Sequence, residues 1–175
     1  MVLYRRDTTP GATWFFTLAL ANRNSDVLTA RVDLLRASFA HVMRLHPWRI
    51  EAIVILPEHL HALCTLPPGD ADFAVRWRLI KSGFSRALPL TEVLTRSREH
   101  KAERGIWQRR YWEHRIRDDA DFARHFDYIH HNPRKHGYVS RVIDWPWSSF
   151  HRYVAAGLLP ADWAGDDADI AGEWL

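Results

Sequence analysis

The chain has 175 residues, 47% of them hydrophobic and 26% charged, which fits one globular domain large enough to bury a single core. Its one cysteine, Cys64, excludes an internal disulfide. The apolar run from Trp14 to Ala21 is too short to span a membrane and no secretory pattern precedes it, so a reducing cytoplasm is the expected location.

Thr13 to Leu20 reads as a first strand, with Trp14, Phe16, Leu18 and Leu20 on one face by period-two alternation. After the polar turn Asn22 to Ser25, the spacing of Leu28, Val32, Leu35, Phe39 and Val42 predicts a helix that ends before Pro47. Ile50 to Leu56 is a β-branched run typical of a buried strand, and a further strand follows from His59 to Leu66. There His59, His61, Leu63 and Thr65 share one face, and Leu60, Ala62, Cys64 and Leu66 share the other.

A second helix carries the stripe Phe73, Trp77, Ile80, Phe84 and Leu88, with Arg76, Arg78, Lys81 and Arg86 on its other sides. Between Arg76 and Arg117 stand twelve Lys/Arg against four Glu, interleaved with Trp77, Phe84, Trp107, Tyr111 and Trp112. Cations among aromatic rings suit a polyanion with unstacked bases, and they equally suit a solvated surface above a Trp-rich core. Pro89 to Gly105 reads as a polar loop, and Ile106 to Ile116 as a fourth strand or hairpin.

Asp118 and Asp119 offer a cap and favourable dipole charges for a third helix with Phe122, Phe126 and Ile129 as its core stripe, stopping at Pro133 and Gly137. Asp121, His125, Tyr128 and Asn132 then fall on one stripe beside that core face. Trp145 to Phe150 opens a short aromatic helix, with Ser148-Ser149 as its cap. The domain is expected over residues 1–153, followed by an acidic tail, 154–175, loosely held. Strand–helix–strand–strand–helix–strand is a ferredoxin-like order (βαββαβ), an α+β antiparallel sheet with helices on one face and the third helix added.

His59 and His61, about 7 Å apart along one strand face, can share a metal ion, although two histidines at this spacing also arise by chance. Tyr128 and Asn132 are i,i+4 neighbours, either a nucleophile beside an oxygen ligand or two ordinary helix residues. A phenol with a pKa of about 10 needs a cation or a base to act as a nucleophile at neutral pH.

Four segments in order, Leu56-Pro57-Glu58-His59-Leu60-His61, Trp107 to Ile116 (WQRRYWEHRI), Tyr128-Ile129-His130-His131-Asn132-Pro133 and Asp144 to Phe150 (DWPWSSF), resemble the successive motifs of REP-associated tyrosine transposases. These are single-tyrosine members of the HUH endonuclease superfamily, in which U is a hydrophobic residue. The resemblance runs from Trp14 to Tyr153. It implies a ferredoxin-like enzyme that acts on single-stranded DNA hairpins of repetitive extragenic palindromes, with Tyr128 as nucleophile and His59, His61 and Asn132 as ligands of Mg²⁺ or Mn²⁺. On that reading a 5′-phosphotyrosine bond forms and a 3′-OH is released. The enzyme would work as a monomer or homodimer in the cytoplasm, associated with the nucleoid.

The expected phosphate contacts are Lys81, Arg86, Arg109, Arg110, Arg115 and Lys135, with Trp107 and Trp112 as stacking platforms or core. Glu58 departs from the family's usual Asn, and Arg134 stands where Val is common. Two other classes remain open from the residues alone: a metal-dependent hydrolase using water, and a non-catalytic single-strand binder, which the absence of aromatics from Ile50 to Leu56 disfavours.

Overall fold

Alternation along the first strand, β1 (Thr13–Ala19), gives it two apolar faces, and the architecture follows from covering both. The computed structural model describes residues 8–90 and 104–164. β1 pairs antiparallel with β3 (His59–Thr65) on one side and with β4 (Trp112–Arg115) on the other, and β2 (Arg49–Ile55) lies outside β3. The four-stranded sheet has the order β2-β3-β1-β4.

Trp14, Phe16, Leu18, Leu60, Ala62 and Cys64 face α1 (Val27–Ala30), α2 (Val32–Leu45) and α3 (Phe73–Ala87), whose Leu28, Leu35, Phe39, Trp77, Ile80 and Phe84 complete the larger core. Phe15, Ala52, Val54 and Leu63 point the opposite way and are covered by Tyr128 and Ile129 of α4 (Asp119–Lys135). The α+β antiparallel architecture is therefore as expected. The added helix lies across the sheet from α2 and α3, on the face that carries His59 and His61.

Several expectations need correction. The single helix after Ser25 is broken at Arg31 (φ −126°, ψ 38°), although Leu28 and Val32 stay buried on either side of the break. Arg76 is not on a charged surface. It is 2% exposed, and its guanidinium donates to the carbonyls of His46, Pro47 and Asp72 and to Asp70 Oδ2, tying the end of α2 to the start of α3.

The expected strand from Ile106 to Ile116 is divided. Trp107 bridges Leu20, and regular pairing resumes only at Trp112, opposite Thr17. β1 advances three residues between these points and its partner five, so two extra residues are accommodated where Arg109 and Arg110 stand exposed. Most of the loop expected over residues 89–105 lies outside the described residues. Ser149 does not cap the last helix, α5 (Phe150–Ala155), through its side chain. Its Oγ accepts from Ile53 N at 2.9 Å, while Ser148 Oγ accepts from Phe150 N at 3.1 Å. Trp147 to Ser149 instead covers the free edge of β2, through Ile55 N to Trp147 O at 2.8 Å and Ser149 N to Ile53 O at 2.8 Å.

In α4 the buried positions are Asp121, His125, Tyr128, Ile129, His130, Asn132 and Pro133, whereas Phe122 and Phe126 are only half-buried. The polar stripe, read as flanking the core, is the one that faces the sheet. Nor does Pro133 stop the helix, which continues to Lys135. A proline this near the end forfeits a single ladder hydrogen bond, and the stop is made by Gly137 at φ +72°. Tyr138 N donates to Pro133 O at 3.0 Å and Gly137 N to Arg134 O at 2.9 Å, the paired bonds of a Schellman motif. Beyond α5 the chain returns along α4: the Trp163 ring lies 6.3 Å from that of His130 and 5.7 Å from that of Phe150. Residues 165–175 of the acidic tail lie outside the described residues.

A Cβ at Gly137 would meet nothing within 4 Å, so Gly137→Ala carries only the backbone cost of a positive φ, about 1 kcal/mol. Urea denaturation should show a lower midpoint at an unchanged slope.

Candidate active site

β3 places His59 and His61 on one face two residues apart, their ring centroids 4.9 Å from each other and both side chains fully buried. Each has one nitrogen engaged. His59 Nδ1 donates to Glu58 Oε1 at 2.9 Å, and His61 Nδ1 is hydrogen-bonded to Thr17 Oγ1 at 2.8 Å. Both Nε2 atoms are buried without a partner.

Burial pushes the His59 imidazole down to about 4, against the opposing pull of Glu58, and pushes that of His61 well below its ordinary value. Both rings are thus neutral, and the bond from Nδ1 to a carboxylate leaves the His59 lone pair on Nε2. Glu58 sits behind His59, held in turn by Arg23 at 3.4 Å, so it orients this imidazole.

The helix supplies the opposing wall. The Tyr128 ring lies 5.1 Å from that of His61, and the His136 ring 5.5 Å from that of His59. Asn132 stands between them, one turn from each, and His136 N donates to Asn132 O at 3.0 Å. The Asn132 side chain is fully buried, and its Oδ1 and Nδ2 both lack a partner. Three orphaned ligand-type atoms, the two Nε2 atoms and Asn132 Oδ1, therefore belong to facing stretches of β3 and α4 together with one orphaned donor, Asn132 Nδ2, an arrangement that buried polar groups avoid unless something else satisfies them.

Phe15 lies at the centre of the site floor, its ring 5.5 Å from His61, 4.7 Å from His125 and 5.9 Å from Tyr128. Lys135 Nζ, two turns along the helix, lies 5.4 Å from the centre of the Tyr128 ring.

Other expected contact residues are spread around this site. Trp107 is 8% exposed and packs edge-on against Phe84 at 5.7 Å, so it belongs to the core and offers no open stacking face. Trp112 is half-buried, opposite Thr17 in the sheet and stacked on His114 at 5.7 Å, which puts it at the margin of the site. Lys81 donates to Gln108 O at 2.7 Å and bridges α3 to the segment before β4. Arg86, Arg109, Arg110 and Arg115 are exposed.

A second group, His114, Asp121 and His125, brings its ligand-type atoms within 4.8 Å of one another. Here the carboxylate is already filled: Asp121 Oδ2 accepts from His114 Nε2 at 2.9 Å and from Arg117 N and Nε at 3.0 and 3.1 Å, and Oδ1 accepts from Arg124 at 3.0 Å. Two guanidiniums beside the same carboxylate oppose a further cation, and His125 Nδ1 donates to the Asp121 carbonyl at 2.8 Å. The group is a hub that fixes the start of α4. Burial raises the Asp121 carboxyl, but the hydrogen bonds from His114 and Arg117 outweigh it and hold the group well below the usual carboxylate range.

Sequence reasoning missed Thr17, His136 and the Asp121 hub. Thr17 had a visible signal, as the polar residue on the β1 face opposite Trp14, Phe16 and Leu18.

Fold and site together define an α+β protein in which one helix closes a polar, histidine-lined site against an antiparallel sheet. No protein-family model matches the chain. The chain is 50% identical over 171 residues to the REP-associated tyrosine transposase of Escherichia coli K12, an alignment covering 97% of this chain and 96% of that protein. It is 46% identical over 172 residues to a Haemophilus influenzae protein assigned by name to the same family, covering 97% and 98%. The solved structure of a REP-associated tyrosine transposase bound to a REP hairpin superposes with a TM-score of 0.84 at 47% identity, covering 100% of this chain and 99% of that one. The chain belongs to the REP-associated tyrosine transposases.

The Asp121 hub generates a prediction with a defined pH dependence. Asp121→Ala is expected to cost about 2 kcal/mol at pH 7, since its partners Arg117 and Arg124 are largely exposed and recover solvent. Because the folded-state pKa is depressed, that stability is present above the unfolded value of about 3.9 and is lost as the pH falls through the folded value. The gap between wild type and variant in urea denaturation should narrow steadily below about pH 4.

Proposed function

We propose that this protein is a metal-dependent strand transferase that cuts and rejoins single-stranded DNA at REP-type hairpins through a covalent bond to Tyr128. The observation that carries this reading is the set of orphaned atoms on His59, His61 and Asn132 beside the Tyr128 ring. The hairpin seen in the structure of its relative supports the same substrate class here, and such a reaction takes place with chromosomal DNA in the cytoplasm. Among the described residues no helix is long and apolar enough to cross a membrane.

Two neutral imidazoles and an amide oxygen fit a divalent cation, and the nitrogen content suits Mn²⁺ better than Mg²⁺. Such an ion, when bound, withdraws charge from the scissile phosphate. The rest falls to the chain's own groups. Glu58 holds His59 in the tautomer that presents Nε2, and Thr17 holds the orientation of the His61 ring. Lys135, its Nζ 5.4 Å from the centre of the Tyr128 ring, supplies a positive charge that favours approach of the phosphate.

Tyr128 Oη then attacks phosphorus in line. A phenolate–phosphorus bond forms, the bond to the 3′ oxygen breaks, and that oxygen takes up a proton to become a free 3′-OH. The phosphodiester energy is retained in the 5′-phosphotyrosine, so a second 3′-OH can attack it, release Tyr128 and join the strands. Exposed Arg86, Arg109, Arg110 and Arg115 suit backbone contacts that position the DNA without reading its sequence.

Incubating the protein with a labelled single-stranded hairpin oligonucleotide and Mg²⁺ or Mn²⁺ should give an SDS-resistant adduct that Tyr128→Phe abolishes. Cleavage that survives in Tyr128→Phe would assign the attack to water. Thr17→Val, which removes the hydrogen-bond partner of His61, should weaken Mn²⁺ binding about tenfold by calorimetry; unchanged affinity would dismiss its orienting role.

A further inference from the structure

A line of aromatic rings leaves the site at the end of α4, and the proposed chemistry uses none of it beyond His59, where it starts. From His59 it passes to His136 at 5.5 Å, then from His136 to Tyr138 at 6.1 Å and from Tyr138 to Trp145 at 5.2 Å. The last two pairs are inclined by only 32° and 31°, closer to stacked than to edge-on.

Tyr138 is 43% exposed and belongs to neither hydrophobic cluster, so the core does not explain its position. It is held there nonetheless. The positive φ of Gly137 turns the chain back at the end of α4, and the Tyr138 amide is bonded to Pro133 O. Behind it the Trp145 ring is fixed by its Nε1 donating to Ile55 O at 3.0 Å.

Charge around this line favours an anionic strand. Lys135 is exposed on the preceding turn, and the charge of the nearby Glu58 carboxylate is countered by Arg23 at 3.4 Å. A rigid, outward-facing aromatic step beside a cation and a phosphodiester site is the arrangement on which unpaired bases stack.

We propose that His136, Tyr138 and Trp145 form a stacking shelf for one unpaired base of the single strand that enters the site, with Tyr138 as the contacting ring. The shelf rests on the function proposed above and adds to it a residue that positions the strand beside the scissile phosphate. Tyr138 takes part in no bond making or breaking.

The test measures binding in a Tyr128→Phe background, which prevents cleavage, using a hairpin oligonucleotide with a single-stranded flank. Each flank base is replaced in turn by an abasic site. One position is expected to lose about 5- to 100-fold in affinity when its base is removed. Adding Tyr138→Ala should weaken binding of the intact oligonucleotide by a similar factor and abolish sensitivity at that one position. Tyr138→Phe should behave as the parent, and Tyr138→Leu, which keeps apolar bulk without a π-face, should behave as Tyr138→Ala. The shelf is overturned if Tyr138→Ala binds like the parent, if it keeps the full abasic penalty at every position, or if Tyr138→Leu restores parental behaviour. A parent that binds no hairpin oligonucleotide at all overturns the proposed function as well, which separates the two failures.

Discussion

An imidazole buried with one nitrogen unpaired destabilises a fold, on the order of 1–3 kcal/mol for each orphaned atom, and β3 carries two such rings side by side. The surrounding structure is arranged to hold them in place. β3 is an interior strand, paired with β1 along one edge and β2 along the other, so the register of its histidines cannot slip without turning its whole apolar row outward. Thr17 and Glu58 each take one nitrogen, which fixes the rotation of both rings and, through the carboxylate, the tautomer of His59. Strain of this kind persists where a site is built in advance for something that later satisfies it.

The opposite wall is a single helix, and this simplifies the geometry. Tyr128, Asn132 and Lys135 are fixed relative to one another by the helical repeat, as the two histidines are by the strand repeat. The remaining freedom is how α4 lies on the sheet, and it is pinned at three levels. The Asp121 hub ties its first turn to β4 and to the following arginines. His130 Nε2 is hydrogen-bonded at 2.9 Å to Ser149, whose Oγ also accepts from the β2 backbone. At the last level the His136 ring packs against that of His59 on β3 at 5.5 Å. Residues well away from the phenol, Asp121 and Ser149 among them, thus control where it stands.

Much of this was legible in the sequence, for physical reasons that vary by element. Strand alternation is a strong signal, and it placed the two histidines and the two apolar faces correctly. The apolar stripe of α3 was equally plain. Helix α4 was harder, because its buried stripe is polar: Asp121, His125 and Asn132 look like surface residues until the partners that satisfy Asp121, and the orphaned atoms of Asn132, are seen in three dimensions. Pro133 was read as a stop because proline breaks helix interiors, but two residues from the end it forfeits little and the glycine decides. Arg76 was read as surface because nothing in its own helix reveals the carbonyls of His46 and Pro47, at the end of the preceding helix, that it reaches. Glu58 stands out in the sequence only as a departure from the family's usual Asn, and the bond to His59 Nδ1 shows it as a support.

The basic segment is where structure alters the reading most. Arg76 is used up internally, and Arg104 caps the end of α3 by donating to the carbonyls of Ser85, Leu88 and Pro89. Among the described residues, exposed Arg109, Arg110, Arg115 and Arg117 stand in or beside β4, where the two-residue irregularity displays the first two. That edge is close to the site by construction. Trp112 of β4 stands opposite Thr17 of β1, which stands opposite His61 of β3, so one transverse row of the sheet leads from the basic edge to the imidazole. At about 4.8 Å between neighbouring strands, the row from Trp112 to His61 is about 10 Å long. On the proposed function, a strand held at that edge by its phosphates needs only one or two further nucleotides to bring a phosphodiester above His61. Trp112, stacked on His114 and thereby joined to the Asp121 hub, would line that short path. Substrate path and helix position would then share one support, the carboxylate of Asp121.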